Sequence, residues 1–477
     1  MSTQNTAGPR PGEESFHTGR VVIISLVAAL GGFLFGFDTA VINGAVDAVQ
    51  ESFGMGAGLT GFAVSSALLG CIAGAFLAGR LADRWGRTRV MVLASVLFTV
   101  SALGSGLAVS PWDLIVWRVI GGLGVGAASV IAPAYIAEVA PPAIRGRLGS
   151  LQQLAIVSGI FVALLSDAWL AGVAGGAIEQ LWLGAAAWRW MFWAELIPAV
   201  AYGVLALTIP ESPRYLVGRG QLDRAKAVLR SLQDGGVDDR IREIRGTLRE
   251  DRKRTWRDLV TPGGRNLLPI VWIGIVLSVF QQAVGINVIF YYSTSLWQSV
   301  GFTEADALTQ TVITSVTNIV VTVVAIALID RIGRRRLLMI GSVGMTVSLA
   351  LMAAMFSQAT MAPGADGELA PQLGDVQGLI ALIAANWFVV FFGISWGPAV
   401  WVLLGEMFNN RIRTTALGLA AAAQWAANFA VSTAFPPMAE LSLTFTYGFY
   451  AVAALLSLLF VARFIPETNG RSLEDIE

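Results

Sequence analysis

The sequence predicts an all-α membrane protein of about twelve spanning helices, built as two six-helix pseudo-symmetric halves with a cytoplasmic helical linker between them. Three observations carry that prediction. The 477-residue chain is 55% hydrophobic and only 13% charged, which is unlike a soluble domain. Its apolar residues gather into runs of about 18 or more, each long enough to cross a bilayer as a helix. Three charged signatures recur in the same order in the first and second parts of the chain.

In chain order, residues 1–19 are polar, contain Pro and Gly, lack a cleavage site, and read as a disordered cytoplasmic tail. Apolar runs then begin near Val21, Leu59, Val90, Trp112, Leu148 and Trp188 and fill residues 20–210. Residues 211–265 are too polar to span and form the cytoplasmic linker, where Leu222, Ala225, Leu229 and Leu232 make a helical stripe suited to the inner face of the bundle. The second set of runs, near Leu267, Leu308, Leu337, Gly378, Thr415 and Phe445, fills 266–465, and 466–477 is a second cytoplasmic tail. Arginine clusters after the second, fourth, eighth and tenth runs, whereas the loops at 46–58 and 356–377 contain no Lys or Arg. The positive-inside rule therefore puts the Arg-bearing loops and both termini in the cytoplasm of a multi-pass cell-membrane protein.

The same features exclude other classes. A net charge of zero gives no field for nucleic acid. The single Cys71 lies in an apolar run, no disulfide framework exists, and no metal-ligand set is expected. Glycines such as Gly121 to Gly126, Gly32 with Gly36, and Gly70 with Gly74 have the spacing of close helix packing. Neither lysine, Lys226 or Lys253, sits in a phosphate-binding loop, so no nucleotide or other cofactor is expected and a proton gradient is the expected drive.

The repeated signatures are "DRWGR" (Asp83 to Arg87) with "DRIGR" (Asp330 to Arg334), "EVAPPAIR" (Glu138 to Arg145) with "EMFNNRIR" (Glu406 to Arg413), and "PESPR" with "PETNG". All fall on cytoplasmic helix ends, where carboxylates and guanidinium groups can bridge neighbouring helices through paired hydrogen bonds. Asp83, Arg84, Arg87, Glu138 and Arg145, with Asp330, Arg331, Arg334, Glu406 and Arg413, are thus candidates for a cytoplasmic gate. The alternative is that the arginines only set topology, although topology requires neither Glu138 nor Glu406.

Within the membrane, Asp38, Arg118 and Glu195 lie on spans one, four and six at nearly one depth when about 1.5 Å is counted per residue. A carboxylate at that depth needs a partner or a wet cavity. Separating or joining Asp38 and Arg118 would change whether Asp38 holds a proton, while Glu195 could instead pair with Arg189. The only histidine, His17, lies in the tail, so a proton relay must use carboxylates. A second set is neutral: Gln152, Gln153, Gln281, Gln282, Asn287, Tyr291, Tyr292, Asn318, Gln424 and Asn428, with Trp396, Trp401 and Trp425. Amides give and accept hydrogen bonds, and tryptophan faces pack on C–H surfaces, so this lining suits an uncharged polyol. Interhelical bonding remains open for individual amides. Gly285 interrupts span seven between Gln282 and Asn287, as broken helices at transport sites do.

The stretches "GRLADRWGRTR", "RVIGGLGVG", "YIAEVAPPAIRGR", "PESPRYL", "QQAVGINVIFYYS", "DRIGRRRL", "GPAVWVLLGEMFNNRIR" and "PETNG" resemble the sugar porter family of the major facilitator superfamily, in family order over nearly the whole chain. The likeness is greatest to bacterial proton-coupled xylose and glucose symporters. The resemblance implies that Asp38 accepts the proton with Arg118 as partner. It implies that Gln153, Gln281, Gln282, Asn287, Asn318, Trp401 and Gln424 bind sugar hydroxyls, with Phe35, Tyr291, Phe392 and Trp425 shaping the pocket, and that the loop motifs hold the inner gate. Where xylose symporters have a second glutamine on span five, this chain has Ile160, which points to a hexose such as D-glucose rather than D-xylose. The expected partners are a monosaccharide, protons and the bilayer, with no nucleic acid, and the expected state is a monomer. A passive uniporter, a non-transporting sugar sensor and a multidrug exporter are the rival readings.

Overall fold

The computed structural model describes residues 15–141, 144–251, 259–261, 266–363, 369–408 and 412–467, and nearly all of its regular structure is α-helical. The first half consists of span one (Thr18–Ala40 continued by Ile42–Phe53), span two (Ala57–Trp85), span three (Arg87–Leu107), span four (Pro111–Val139), span five (Arg145–Ala174) and span six (Ala187–Ala194 continued by Leu196–Ala206). The second half consists of span seven (Pro269–Ala283 continued by Ile286–Gln298), span eight (Glu304–Ile332), span nine (Arg334–Phe356), span ten (Asp375–Ile394 continued by Trp396–Met407), span eleven (Arg413–Leu441) and span twelve (Leu443–Phe464).

Ten of these, among the described residues, are long and apolar enough to cross a membrane. The other two differ for physical reasons. Span six has its hydropathy lowered by Arg189 and Glu195, and span eleven by Gln424 and Asn428. The starts of spans four, eight and twelve are capped by side chains, with Ser110, Thr303 and Ser442 each accepting a hydrogen bond from the backbone N–H three residues on. Spans two and four approach so closely at Gly70, Gly74, Gly122 and Gly126 that any side chain there would strike the opposite backbone. The glycine spacing thus serves packing, as expected.

Breaks in the helices fall beside the polar residues. Span one is interrupted at Val41, just beyond Asp38. Span seven is interrupted at Val284 and Gly285, the latter at φ 83°, between Gln282 and Asn287. That conformation favours glycine, and a side chain there would also meet the Tyr450 ring.

Two expectations are corrected. The linker folds as helices Pro213–Gly218, Leu222–Leu232 and Val237–Asp251. Its stripe does not lie wholly on the bundle, because Ala225 and Leu229 pack with Leu216, Val217, Ile241 and Ile244 in a small core of their own, and Leu232 alone of the four joins the main core. Nor is the N-terminal tail free through residue 19. Ser15–Phe16 pairs as a strand with Gln233–Asp234, and the two His17 ring nitrogens lie 3.1 Å from the Ser231 carbonyl and the Asp234 carboxylate. The rest of the tail, residues 1–14, and the C-terminal residues 468–477 lie outside the described residues.

Candidate functional site

Asp38 and Arg118 meet as the depth count predicts. One guanidinium nitrogen of Arg118 (Nη1) donates to the Asp38 carbonyl at 2.9 Å and to its Oδ1 at 3.2 Å, with both residues 1% exposed. The pairing is single-pronged, so Asp38 Oδ2 and Arg118 Nε have no hydrogen-bond partner. Gly121 lies beside it, and a Cβ there would come within 2.9 Å of Asp38 Oδ1. Glu195, also 1% exposed, sits at the division of span six within electrostatic reach of both residues. Phe192 lies 6.0 Å beneath the Arg118 guanidinium. Arg189 is engaged elsewhere, donating to the carbonyls of Gly106 and Ala108, so the alternative pairing of Glu195 with Arg189 is not the one formed. Burying two charges with one hydrogen-bonded contact is costly, and a pair held this incompletely is suited to exchange a proton.

Part of the neutral set makes direct contacts. Phe35, one turn before Asp38, packs on Trp425 of span eleven with ring centroids 5.6 Å apart, a contact that joins the halves. Gln282 and Asn287 are bonded across the Gly285 break at 2.6 Å. Gln281 donates to the Trp396 carbonyl at 2.9 Å while its own oxygen is unpartnered. Tyr291 bonds the Asn428 side chain. Gln152, beside Gly32, has both amide atoms buried without partners, as does the Gln424 oxygen. Buried amide atoms in this condition are what a hydroxylated ligand would satisfy. Gln153, Ile160, Phe392 and Trp425 are half-buried, Asn318 is buried near Gly393, and Trp401 is 43% exposed. Trp396 and Tyr292 brace helices instead. Trp396 donates to the Leu338 carbonyl and Ser342, and Tyr292 to the Ser432 carbonyl.

At the linker end of the bundle, the cytoplasmic one in the orientation expected from the arginine distribution, the repeated motifs converge twice. Arg87 donates through Nε and Nη2 to both oxygens of Glu138 at 3.1 Å, and Ser212 also donates to Glu138. Arg334 donates to Glu406 at 2.9 Å. The third repeated motif, whose Glu211 and Glu467 were not among the gate candidates, completes each network. Glu211 accepts the Arg87 backbone N–H at 2.9 Å, and Glu467 accepts that of Arg334 at 3.0 Å. These contacts tie the first half to the start of the linker and the second half to the residues just after span twelve. Asp83 reaches Arg87 at 3.3 Å but is 78% exposed, and Arg84 and Arg331 are exposed. The side chains of Arg145, Asp330 and Arg413 lie outside the described residues.

At the opposite end, the outer one in that expected orientation, the halves are joined directly, by residues that sequence reasoning passed over. Asn43 donates to the Phe290 carbonyl and Ser293 hydroxyl, both at 2.9 Å, and accepts the Thr294 N–H at 3.1 Å. Asp47 accepts from Ser295 at 2.6 Å and Gln298 at 3.2 Å, Ser65 bonds Thr433 at 2.6 Å, and Glu304 accepts the Ala177 N–H at 2.8 Å. The only sequence signal for them was the presence of Asn43, Asp47 and Glu304 near the outer ends of apolar runs. The outer seam is closed in this structure.

Residues 24–477 match the family model for sugar (and other) transporters. The chain is 57% identical over 468 residues to a glucose transport protein of Synechocystis sp., covering 98% of this chain and 99% of that protein. It is 37% identical to the D-xylose-proton symporter of Escherichia coli, covering 97% and 96% respectively. Among solved structures, the inward open conformation of the E. coli xylose transporter XylE superposes with a TM-score of 0.79 at 36% identity, covering 96% of this chain and 99% of that one.

Proposed function

The chain belongs to the sugar transporter family, with the major facilitator fold, and from that premise we propose that it is a sugar/proton symporter importing a monosaccharide, D-glucose or a related hexose, by alternating access. The observation that carries this reading is the buried Asp38–Arg118 pair, placed one helical turn from Phe35 in its contact with Trp425 of the other half. A sugar that draws Phe35 and Trp425 together acts on the same stretch of span one that holds the proton site. Asp38 takes a proton at its free oxygen, Arg118 holds the carboxylate when the proton leaves, and Glu195 adjusts the local field. Gln153, Gln281, Gln282, Asn287, Asn318 and Gln424 bind hydroxyls, Tyr291, Phe392 and Trp401 flank them, and Ile160 leaves room for a hydroxymethyl group. No bond of the substrate changes, no cofactor takes part, and the proton gradient supplies about 2.3 kcal/mol per charge and 100 mV. The carrier works as a monomer in the plasma membrane with both termini in the cytoplasm. The Arg87–Glu138 and Arg334–Glu406 networks brace the cytoplasmic ends of the two halves and rearrange as they rock.

Adding glucose to energy-depleted cells expressing the chain should alkalinise a weakly buffered medium in step with uptake. Uptake without alkalinisation, unchanged by a protonophore, would leave a passive uniporter. Gln282→Ala should weaken sugar binding by about 1 to 3 kcal/mol, since Asn287 loses its mate, as titration calorimetry would show.

A further inference from the structure

Span five carries a carboxylate that the proposed mechanism leaves unused. Asp167 is fully buried, and neither of its oxygens has a hydrogen-bond partner. It packs against Gly44 of span one so closely that a Cβ on Gly44 would lie 2.8 Å from Oδ2 and 2.9 Å from Cγ. The backbone of Gly44 is the polar group it faces. Ionisable groups on the elements packed around span five are committed elsewhere: Arg118 to Asp38, Arg189 to the Gly106 and Ala108 carbonyls, Asp47 to Ser295 and Gln298, and Glu304 to the Ala177 N–H. None of them acts on Asp167. A carboxyl buried with no counter-charge, and with only the Gly44 backbone beside it, is held most cheaply as the neutral acid.

Gly44 follows Asn43, which makes three hydrogen bonds to span seven across the outer seam. Asp167 therefore lies directly behind that clamp, packed against the segment Ile42–Phe53 beyond the interruption at Val41. We propose that Asp167 is a second proton-binding site, separate from Asp38, which takes up a proton from the outer side as the seam closes and returns it there when the seam opens. When Asn43 lets go of span seven, the segment moves, water reaches the carboxyl, and the acid gives its proton to that water. External acid then favours the closed seam even when Asp38 cannot titrate. The proton cycles on one side and is not carried across. This rests on the reading of the chain as an alternating-access symporter.

The test uses the full chain in cells with Cys71→Ser and Asp38→Asn, and a cysteine placed by Phe62→Cys, where Phe62 packs on Phe429 of span eleven across the seam. Labelling by a membrane-impermeant maleimide is measured against external pH without sugar. It is normalised to a Leu183→Cys chain, whose position is 94% exposed, to remove the pH dependence of the thiol itself. Normalised labelling should fall as the medium is acidified, by up to about tenfold per pH unit for one coupled proton. Adding Asp167→Asn should hold it low at every pH, with Asp167→Ser used if that chain fails to reach the membrane. A flat response with Asp167 intact overturns the proposal by itself, and so does a pH dependence that survives the substitution or labelling that stays high in it. Proton-gradient-driven sugar accumulation by the chain with Asp38 intact separately tests the symport reading, so the two failures are distinguishable.

Discussion

The cytoplasmic and outer ends of this molecule are held together in opposite ways. Inside, Arg87 with Glu138 and Glu211, and Arg334 with Glu406 and Glu467, form two copies of one charged network, one joining the first half to the linker and the other joining the second half to the residues that follow it. Outside, Asn43, Asp47, Ser65 and Glu304 bind the opposite half through mostly neutral donors, and the contacts follow no repeat. Charged bonds within a half keep a rigid body rigid, whereas short bonds between halves can be released together. Such a division suits a machine that rocks two bodies about a central site.

Breaking the inner network should cost most. Glu138→Ala leaves the Arg87 guanidinium, 13% exposed, without its carboxylate, and should lower stability by about 3 kcal/mol, seen as a fall in the melting temperature of the detergent-solubilised protein. A similar loss of stability from an outer-seam substitution would erase the contrast between the two ends. Asn43→Ala, which removes three bonds across the seam, should act chiefly on conformation, shifting the balance toward the outward-open state by about 1 to 3 kcal/mol. Labelling from outside of a cysteine at the Phe62 position would report that shift. The smallest effect belongs to Asp83→Ala. Its pair with Arg87 is largely solvated, so stability should change by less than about 0.5 kcal/mol in the same melting assay, and a larger loss would place Asp83 inside the network.

The same contrast explains what the sequence made legible. Duplicated motifs announced the inner networks, and depth counting along straight helices brought Asp38 to Arg118. Glu211 and Glu467 stood within quoted repeats, yet their role as acceptors for the backbone N–H after Gly86 and Gly333 depends on turn geometry that spacing alone does not reveal. The outer seam had no repeat to mark it. Asn43, Asp47 and Asp167 gain meaning only from which faces of spans one, five and seven meet, and that is decided by packing of the whole bundle. Span six illustrates a further limit, because the signal for its interruption at Glu195 is indirect, lying three residues on at Pro198, which cannot donate to the Ala194 carbonyl.

The central claim is that Asp38 links proton movement to sugar movement. The direct measurement is uptake of labelled glucose into liposomes containing wild-type or Asp38→Asn protein, with and without an imposed inward proton gradient, beside counterflow exchange in the same preparations. The account predicts that the gradient drives wild-type accumulation above equilibrium, and that Asp38→Asn exchanges sugar but never accumulates it. Full accumulation by Asp38→Asn would contradict it.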